Sequence, residues 1–432
     1  MIFGTDGIRA RVGQAPMDRT TIEKLSAVLF DWLPSKSRIV LGSDTRASGS
    51  QVNQWLLSSL DNTEVLDLGV VPTPVTAYET QAKGAHLGVM ITASHNPAAD
   101  NGLKFFDHRG LKISYDLAKT WSAQIQSHNP SPTRPAASTA QKPDSYQRFI
   151  LDHFRPEDFS GLHLGFDFAH GAGTGLLPEL YSQLQMKIRP IGNRPDGHNI
   201  NRGVGALHPQ ALITLTQEEG LDAGFALDGD GDRLQVVAEG QAIPGDVVLY
   251  ALYRLFRQEG LEIPAVVGTI MCGMGLEQTL AKEGVQLIRT PVGDQNVLAE
   301  LVARNLLLGG EPSGHIIQGD LFPAGDGFLA ALRLARAMSR QPELWRQAIA
   351  AVPMFPVYEK AYPVRHKPGL ETVPGFNEWR NQLESKLHQR GRLIVRYSGT
   401  EPKLRLFLEA DQLAPYREAI AAFEHLVEKE LA

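Results

Sequence analysis

Cysteine is nearly absent from this chain of 432 residues, where Cys272 stands alone. A single thiol makes no internal disulfide and no multi-thiolate zinc site, so a disulfide scaffold is excluded and a reducing compartment fits. Cys272 is expected to be a small buried side chain. No uninterrupted apolar run approaches the roughly 18 residues a membrane span needs. The opening residues Met1 to Gly7 lack the basic stretch and apolar segment of a signal peptide, so the expectation is a cytoplasmic protein with no membrane partner. Blocks of Lys and Arg are missing too. With 42 Lys+Arg against 48 Asp+Glu the net charge is −6, which removes the electrostatic footprint of a nucleic-acid binder. A small phosphorylated or polar substrate fits better than a polymer.

What is present is an ordinary globular composition, 43% hydrophobic and 21% charged, which argues against disorder and long coiled coil. At roughly 150 residues per domain the length implies about three or more packed units. The segment Asn129 to Pro143 holds four prolines without apolar periodicity and reads as a linker. Short apolar runs at Ile39–Leu41, Gly88–Ile91, Leu164–Phe166, Ala265–Val267 and Leu306–Leu308 read as buried strands. Between them, Leu276–Ala281 and Phe328–Leu334 carry helical periodicity, and this alternation argues for α/β layers. Three times an apolar strand opens into a glycine-containing polar loop and an apolar strand resumes, around Ser94, Asp230 and Ser313. A fourth case spans Leu393 to Leu408 in a C-terminal unit that closes with a helix from about Gln412 to Glu430. Four domains with one loop each is the economical reading: 1–135, 144–242, 243–350 and 356–432.

Each loop has a chemistry. Ser94 follows a strand and has His95 and Lys104 nearby, the setting of a nucleophile or phosphate carrier, although a lone serine there also serves as a turn residue. In Asp228-Gly-Asp230-Gly-Asp232-Arg233, carboxylates at alternate positions are spaced by glycines and can converge on one hard cation. Two other readings stand beside the metal cradle. Counting from Asp228, Glu239 at position 12 imitates a calcium loop, but Arg233 occupies the position that wants glycine. A strand ending in Asp-x-Asp also suits an aspartate nucleophile with Asp228 phosphorylated. Glu311 and Ser313 can take hydrogen bonds from sugar hydroxyls, and His315 can move a proton near neutral pH. Arg396, Ser398, Gly399 and Thr400 have the composition of an anion site, to which Arg405 adds charge.

Phe3-Gly-Thr-Asp-Gly-Ile-Arg9, Ser94-His-Asn-Pro97 and Arg396-Tyr-Ser-Gly-Thr-Glu-Pro402 together resemble the α-D-phosphohexomutase family, and most closely its amino-sugar branch. The similarity runs from about residue 3 to 410. The resemblance implies an α/β protein of four domains around a central cleft, the first three related α/β units with mixed sheets and the fourth a smaller α+β domain. It implies an isomerase that interconverts glucosamine 6-phosphate and glucosamine 1-phosphate through a phosphoserine at Ser94 and a bisphosphorylated sugar. One Mg²⁺ per active site would be held by Asp228, Asp230, Asp232 and phospho-Ser94, with a hexose 1,6-bisphosphate as activator. Glu311 and Ser313 would read sugar hydroxyls. Arg396, Ser398, Gly399 and Thr400 would clamp the non-reacting phosphate. Arg9, Lys104, Arg233 and His315 match positions linked to phosphate stabilisation or proton transfer. The implied partner is a small phosphorylated sugar, and the assembly a monomer or homodimer. The chain departs from the branch at Ala98-Ala99, where aromatics are common, at His170, at Pro312 and at Gln295-Asn296. None of these removes a catalytic group. Glucose or mannose phosphates, a non-catalytic sugar-phosphate binder and a calcium-binding structural protein are the competing readings.

Overall fold

A computed structural model describes residues 2–4, 6–127, 134–398 and 402–432. They form two compact units, one from Met1–Met271 with Gly284–Ala350, the other from Cys272–Glu283 with Ala351–Ala432. Among the described residues no helix is long and apolar enough to cross a membrane.

The first unit contains three mixed sheets. The first sheet consists of Ile8–Arg11 (β1), Arg38–Ser43 (β2), Glu64–Val70 (β3), Leu87–Ile91 (β4), Asp100–Phe106 (β5) and Ser138–Ala140 (β6), in the order β1-β5-β4-β2-β3-β6. The second has His163–Asp167 (β7), Lys187–Ile191 (β8), Ala223–Leu227 (β9), Leu234–Ala238 (β10) and Gln241–Ile243 (β11), in the order β11-β10-β9-β7-β8. The third has Ala265–Thr269 (β12), Gln286–Thr290 (β13), Leu308–Gly310 (β14), Ile316–Gln318 (β15) and Phe322–Gly325 (β16), in the order β13-β12-β14-β15-β16. In all three, parallel strands run in the order second, first, third, and an antiparallel fourth strand returns beside the third. The outer place next to that fourth strand goes to β11 and β16 in the later sheets, but to the N-terminal β1 in the first. The repeat read from the sequence is therefore a repeated topology.

The central strands have near-continuous apolar runs because both faces are covered: every residue of β4, β9 and β12 is buried. Helix Thr73–Ala82 lies flush on the first sheet at Gly42 and Gly88, where a Cβ would come within 2.1 Å of the Thr76 and Thr80 hydroxyls. Close approach of this kind needs glycine. It also fixes Thr73 at the helix start, whose N–H donates to Asp230 O at 2.8 Å. The first sheet's core is anchored by fully buried Trp121, with Phe3, Phe105 and Trp32 around its ring.

The second unit is an antiparallel sheet of Val357–Pro363 (β17), Gly391–Tyr397 (β18) and Lys403–Ala410 (β19), in the order β17-β19-β18, with helices Phe376–Leu387 and Arg417–Glu430. Its core gathers Trp379, Phe376, Tyr362 and Phe423 under Leu404, Leu406 and Leu408. Helix Met274–Lys282 belongs to this unit, and its Met274 N–H donates to Glu409 at 3.0 Å.

Three local expectations need correction. The stretch read as a linker is not wholly irregular, since β6 pairs in parallel with β3 and extends the first sheet. The strand expected at Leu306–Leu308 begins only at Leu308 and runs to Gly310, because Leu306 and Leu307 finish the connection from the preceding helix. The last helix starts at Arg417, because Pro415 lies in a short 3₁₀ turn ahead of it. Cys272 is buried, as expected.

Trp121→Ala should lower the stability of the first sheet's core by about 3–5 kcal/mol, since a fully buried aromatic leaves a cavity the surroundings fill poorly. A denaturant midpoint within error of the parent would show that this ring anchors nothing.

Candidate active site

Ser94 sits in the loop that joins β4 to β5, with φ at +52°, a left-handed conformation uncommon for residues other than glycine. The surroundings over-determine this strained turn. Arg46 is 3% exposed and its guanidinium donates to Ser94 O at 2.9 Å, Asn96 O at 2.8 Å, Pro97 O at 2.5 Å and Asp100 O at 2.9 Å. Asp44 holds Arg46 at 2.8 Å and accepts from the Thr92 hydroxyl at 2.6 Å. The Asn201 amide adds a second donor to Ser94 O at 2.9 Å. A rigid planar fork suits such a cluster of carbonyls better than lysine.

The acidic loop leaves β9 and meets the serine directly. The Ser94 hydroxyl donates to Asp228 Oδ2 at 2.6 Å. A Cβ at Gly229 would lie 2.5 Å from Ser94 O, so this approach requires glycine. Asp228, Asp230 and Asp232 are all buried, each with a ligand-capable oxygen, and these oxygens lie within 4.8 Å of one another. Burial, then the charges of Asp232 and Asp230, push the Asp228 carboxyl up to about 7. Burial acts the same way on Asp230, but Lys104, the Thr73 hydroxyl and Arg9 outweigh it and hold that carboxyl well below its ordinary range. Asp230 Oδ1 and Asp232 Oδ1 are buried without a hydrogen-bond partner. Three convergent carboxylates with two orphaned oxygens beside a hydroxyl form a donor set that fits a hard divalent cation.

Cations face this cluster. Lys104, on β5, is 1% exposed and lies 2.7 Å from Asp230, 2.6 Å from Asp232 and 3.1 Å from Asp6. Burial would depress its ammonium, but the charges of Asp230, Asp232 and Asp6 raise it well above the ordinary lysine range. Arg9 pairs with Asp6. The Arg233 N–H donates to Asp228 Oδ1 at 3.2 Å. Arg233 and His315 pair through an isolated antiparallel bridge, and Leu234 N–H donates to Gly314 O at 2.9 Å, so the second and third loops are tied by their backbones. His315 Nε2 is 2.9 Å from Asp294 Oδ2, and its Nδ1 is 3.7 Å from Asp232 Oδ1. Burial would lower the imidazole, yet Asp294 and Asp232 raise it. His95 shifts the other way, to about 4, through burial and the charges of Arg233 and Arg9, with its Nδ1 3.3 Å from the Ser94 hydroxyl.

The structure thus brings Ser94, Asp228, Asp230, Asp232, Lys104, Arg9, Arg233 and His315 into one charged cluster of the first unit. Glu311 stands at its border, accepting from Gly293 N–H at 3.0 Å and contributing to the field that raises Arg233. Ser313 is exposed on the same turn. A groove of about 750 Å³ opens beside the serine loop along Ala98 and Ala99, where bulky aromatics would have filled space, and His95 borders it. In the second unit, Arg396 on β18 pairs in register with Arg405 on β19. Burial and the Arg405 charge both lower the Arg396 guanidinium. Lys367 brings a third cation, donating to Ser398 O at 2.6 Å. Gly399 and Thr400 lie outside the described residues. Sequence reasoning missed Arg46, Asp44, Thr73, Lys112, Asp294 and Lys367. The run Asp44-Thr45-Arg46 directly after a buried strand was the available signal for the first two.

Models of the phosphoglucomutase/phosphomannomutase family match four consecutive stretches: alpha/beta/alpha domain I over 1–131, domain II over 144–241, domain III over 244–354 and the C-terminal domain over 353–423. The chain belongs to this family. It is 38% identical over 434 residues to a phosphoglucosamine mutase of Polaromonas naphthalenivorans, covering 94% of this chain and 95% of that one. A phosphoglucosamine mutase of Bordetella parapertussis is likewise 38% identical over 438 residues, covering 95% of each. The fold matches a phosphoglucomutase/phosphomannomutase family protein of Burkholderia thailandensis with a TM-score of 0.81 at 22% identity, over 99% and 97% of the two chains. It also matches Aspergillus fumigatus N-acetylphosphoglucosamine mutase, solved with GlcNAc-6P and magnesium, with a TM-score of 0.64 at 15% identity over 99% and 95%. Membership makes the chain an isomerase of the phosphohexomutase kind, and the acidic cluster is this family member's candidate metal site.

For the metal-free protein, the raised Asp228 carboxyl costs stability as pH climbs from about 4 to 7, because the unfolded chain releases that proton earlier. The raised His315 contributes stability below about 6.5 that is lost as pH passes its folded value. The lowered His95 works the other way, but only below about 6.5, so melting temperature should fall between pH 6.5 and 8.5. Magnesium chloride should raise it more at the alkaline end. An equal rise at both pH values, or an unchanged slope in Asp228→Asn, would remove the cation from this cluster.

Proposed function

We propose that the chain interconverts glucosamine 6-phosphate and glucosamine 1-phosphate, the activity of a phosphoglucosamine mutase. The observation that carries the chemistry is the Ser94 hydroxyl held 2.6 Å from Asp228 inside a buried cluster of three carboxylates. The relatives covering nearly the whole chain at 38% identity carry the amino sugar. In this reading the segments 1–135, 144–242, 243–350 and 356–432 each bring one loop.

Phosphorylated Ser94 gives its phosphoryl group to the free hydroxyl of the sugar monophosphate. The Oγ–P bond breaks, an O–P bond to the sugar forms, and the hydroxyl proton leaves. The second phosphate of the bisphosphate then returns to Ser94, regenerating the phosphoenzyme. A hexose 1,6-bisphosphate therefore serves as activator for any enzyme that has lost its phosphate. Phosphoserine brings about −1.5 to −2 charges into a site already rich in carboxylates. Mg²⁺ held by Asp228, Asp230, Asp232 and the phosphoserine would supply the neutralisation this demands. Arg9, Lys104 and Arg233 spread positive charge over the equatorial oxygens, where phosphoryl transfer accumulates negative charge. His315 handles the hydroxyl proton. Glu311 and Ser313 take hydrogen bonds from sugar hydroxyls. Arg396, Ser398, Gly399, Thr400 and Arg405 hold the phosphate that is not reacting, with Lys367 adding to their charge.

Ser94→Ala removes the transferring oxygen and should abolish mutase turnover, a loss of more than about 1000-fold, while the far-UV circular dichroism stays that of the parent. Substantial turnover in that variant excludes serine as the carrier. Rates compared across glucosamine, glucose and mannose 6-phosphates, with the matching bisphosphate present, should favour glucosamine. Equal or higher kcat/KM for glucose or mannose would move the assignment to a phosphoglucomutase/phosphomannomutase. No turnover of any of them, with intact mass showing no phosphate on Ser94, would leave a binding protein.

A further inference from the structure

We propose that Asp294 and Lys112 are positioning residues that aim His315 at the reacting oxygen. Neither belongs to a loop that carries reactive groups. Asp294 opens the helix Asp294–Arg304, and Lys112 follows the turn after β5, where it pairs with Phe106 across an isolated bridge. Asp294 Oδ2 lies 2.9 Å from His315 Nε2 as an ion pair and accepts from Lys112. Lys112 also reaches Asp6, Asp6 lies 3.1 Å from Lys104, and Lys104 lies 2.6 Å from Asp232. Asp232 faces His315 Nδ1 at 3.7 Å and so closes the circuit. The six side chains form a ring of alternating charge, and every member is less than one-fifth exposed.

Two consequences follow from the geometry. With Nε2 turned to Asp294 at 2.9 Å, the nitrogen His315 presents to the acidic cluster is Nδ1. The imidazole packs directly on Gly325, where a Cβ would sit 2.0 Å from Nε2, so only glycine leaves room for it. A cavity of about 20 Å³ bordered by Lys112, Asp232, Asp294 and His315 is large enough for one water. Lys112 matters because half-buried Asp6 and buried Asp294 share it as a counter-charge. Without it, Asp294 would be left to His315 alone.

This inference rests on the proposed phosphoryl transfer at Ser94, and the experiment separates the two. In the full chain labelled with ¹⁵N-histidine, the His315 Nε2–H correlation, identified by its absence from His315→Gln, should be slow to exchange with solvent. Asp294→Asn should shift it and speed its exchange. It should also lower kcat by about 100-fold, with KM within about 3-fold and the intact-mass occupancy of phospho-Ser94 unchanged. Lys112→Met should follow Asp294→Asn, and Lys112→Arg should recover most of the rate because the charge is kept. An unmoved Nε2–H resonance in Asp294→Asn, or a kcat within 3-fold of the parent in both Asp294→Asn and Lys112→Met, overturns the proposal. If the parent shows neither turnover nor phosphoserine, the mutase reading fails, while the resonance still decides whether Asp294 holds the imidazole.

Discussion

Burying three carboxylates around a serine hydroxyl is the constraint on which the rest of this structure depends. Charges removed from water are tolerated only when paired, hydrogen-bonded or bound to metal, and Asp228, Asp230 and Asp232 are given just part of that compensation by Lys104, Thr73 and the Arg233 backbone. The two orphaned oxygens are the remainder. That remainder is a donor set a hard cation would fit. Asp6, Lys112 and Asp294 carry the balancing outward and keep the surrounding charges paired.

Three successive domains solve the same placement problem by the same topology. In each mixed sheet, parallel strands end at a common edge and the chain turns back antiparallel, so the turn between third and fourth strands projects there: Ser94 between β4 and β5, Asp228 to Asp232 between β9 and β10, Glu311 to His315 between β14 and β15. Ligand sites in α/β sheets sit at such edges beyond the strand ends. Glycines then permit the turns to touch, at Gly229 against Ser94 and at Gly314, whose left-handed φ of +90° lets its carbonyl meet Leu234. A rigid arginine fork holds the first turn in its strained form, and a backbone bridge holds the other two together.

Much of this was legible beforehand, for identifiable reasons. Strand–loop–strand units showed as apolar runs because their strands are covered on both faces, and the aspartates showed because alternate carboxylates spaced by glycine are a rare local pattern. The short edge strand Ser138–Ala140 was invisible, since its three exposed residues carry no apolar signal and its pairing with β3 is a long-range event. Arg46 and Lys112 were missed for a related reason: a buried cation looks in sequence like any surface one.

The sequence by itself determined which residue types could do chemistry, the order of the four loops and the family, because each depends on neighbours within a few positions. Only the tertiary structure decided which charges share a space. That Ser94 bonds Asp228, 134 positions away, and that Asp294 rather than a loop residue holds His315, follows from how sheets and turns are brought together. Electrostatic partnership falls off over a few ångströms of space, and distance along the chain does not report it.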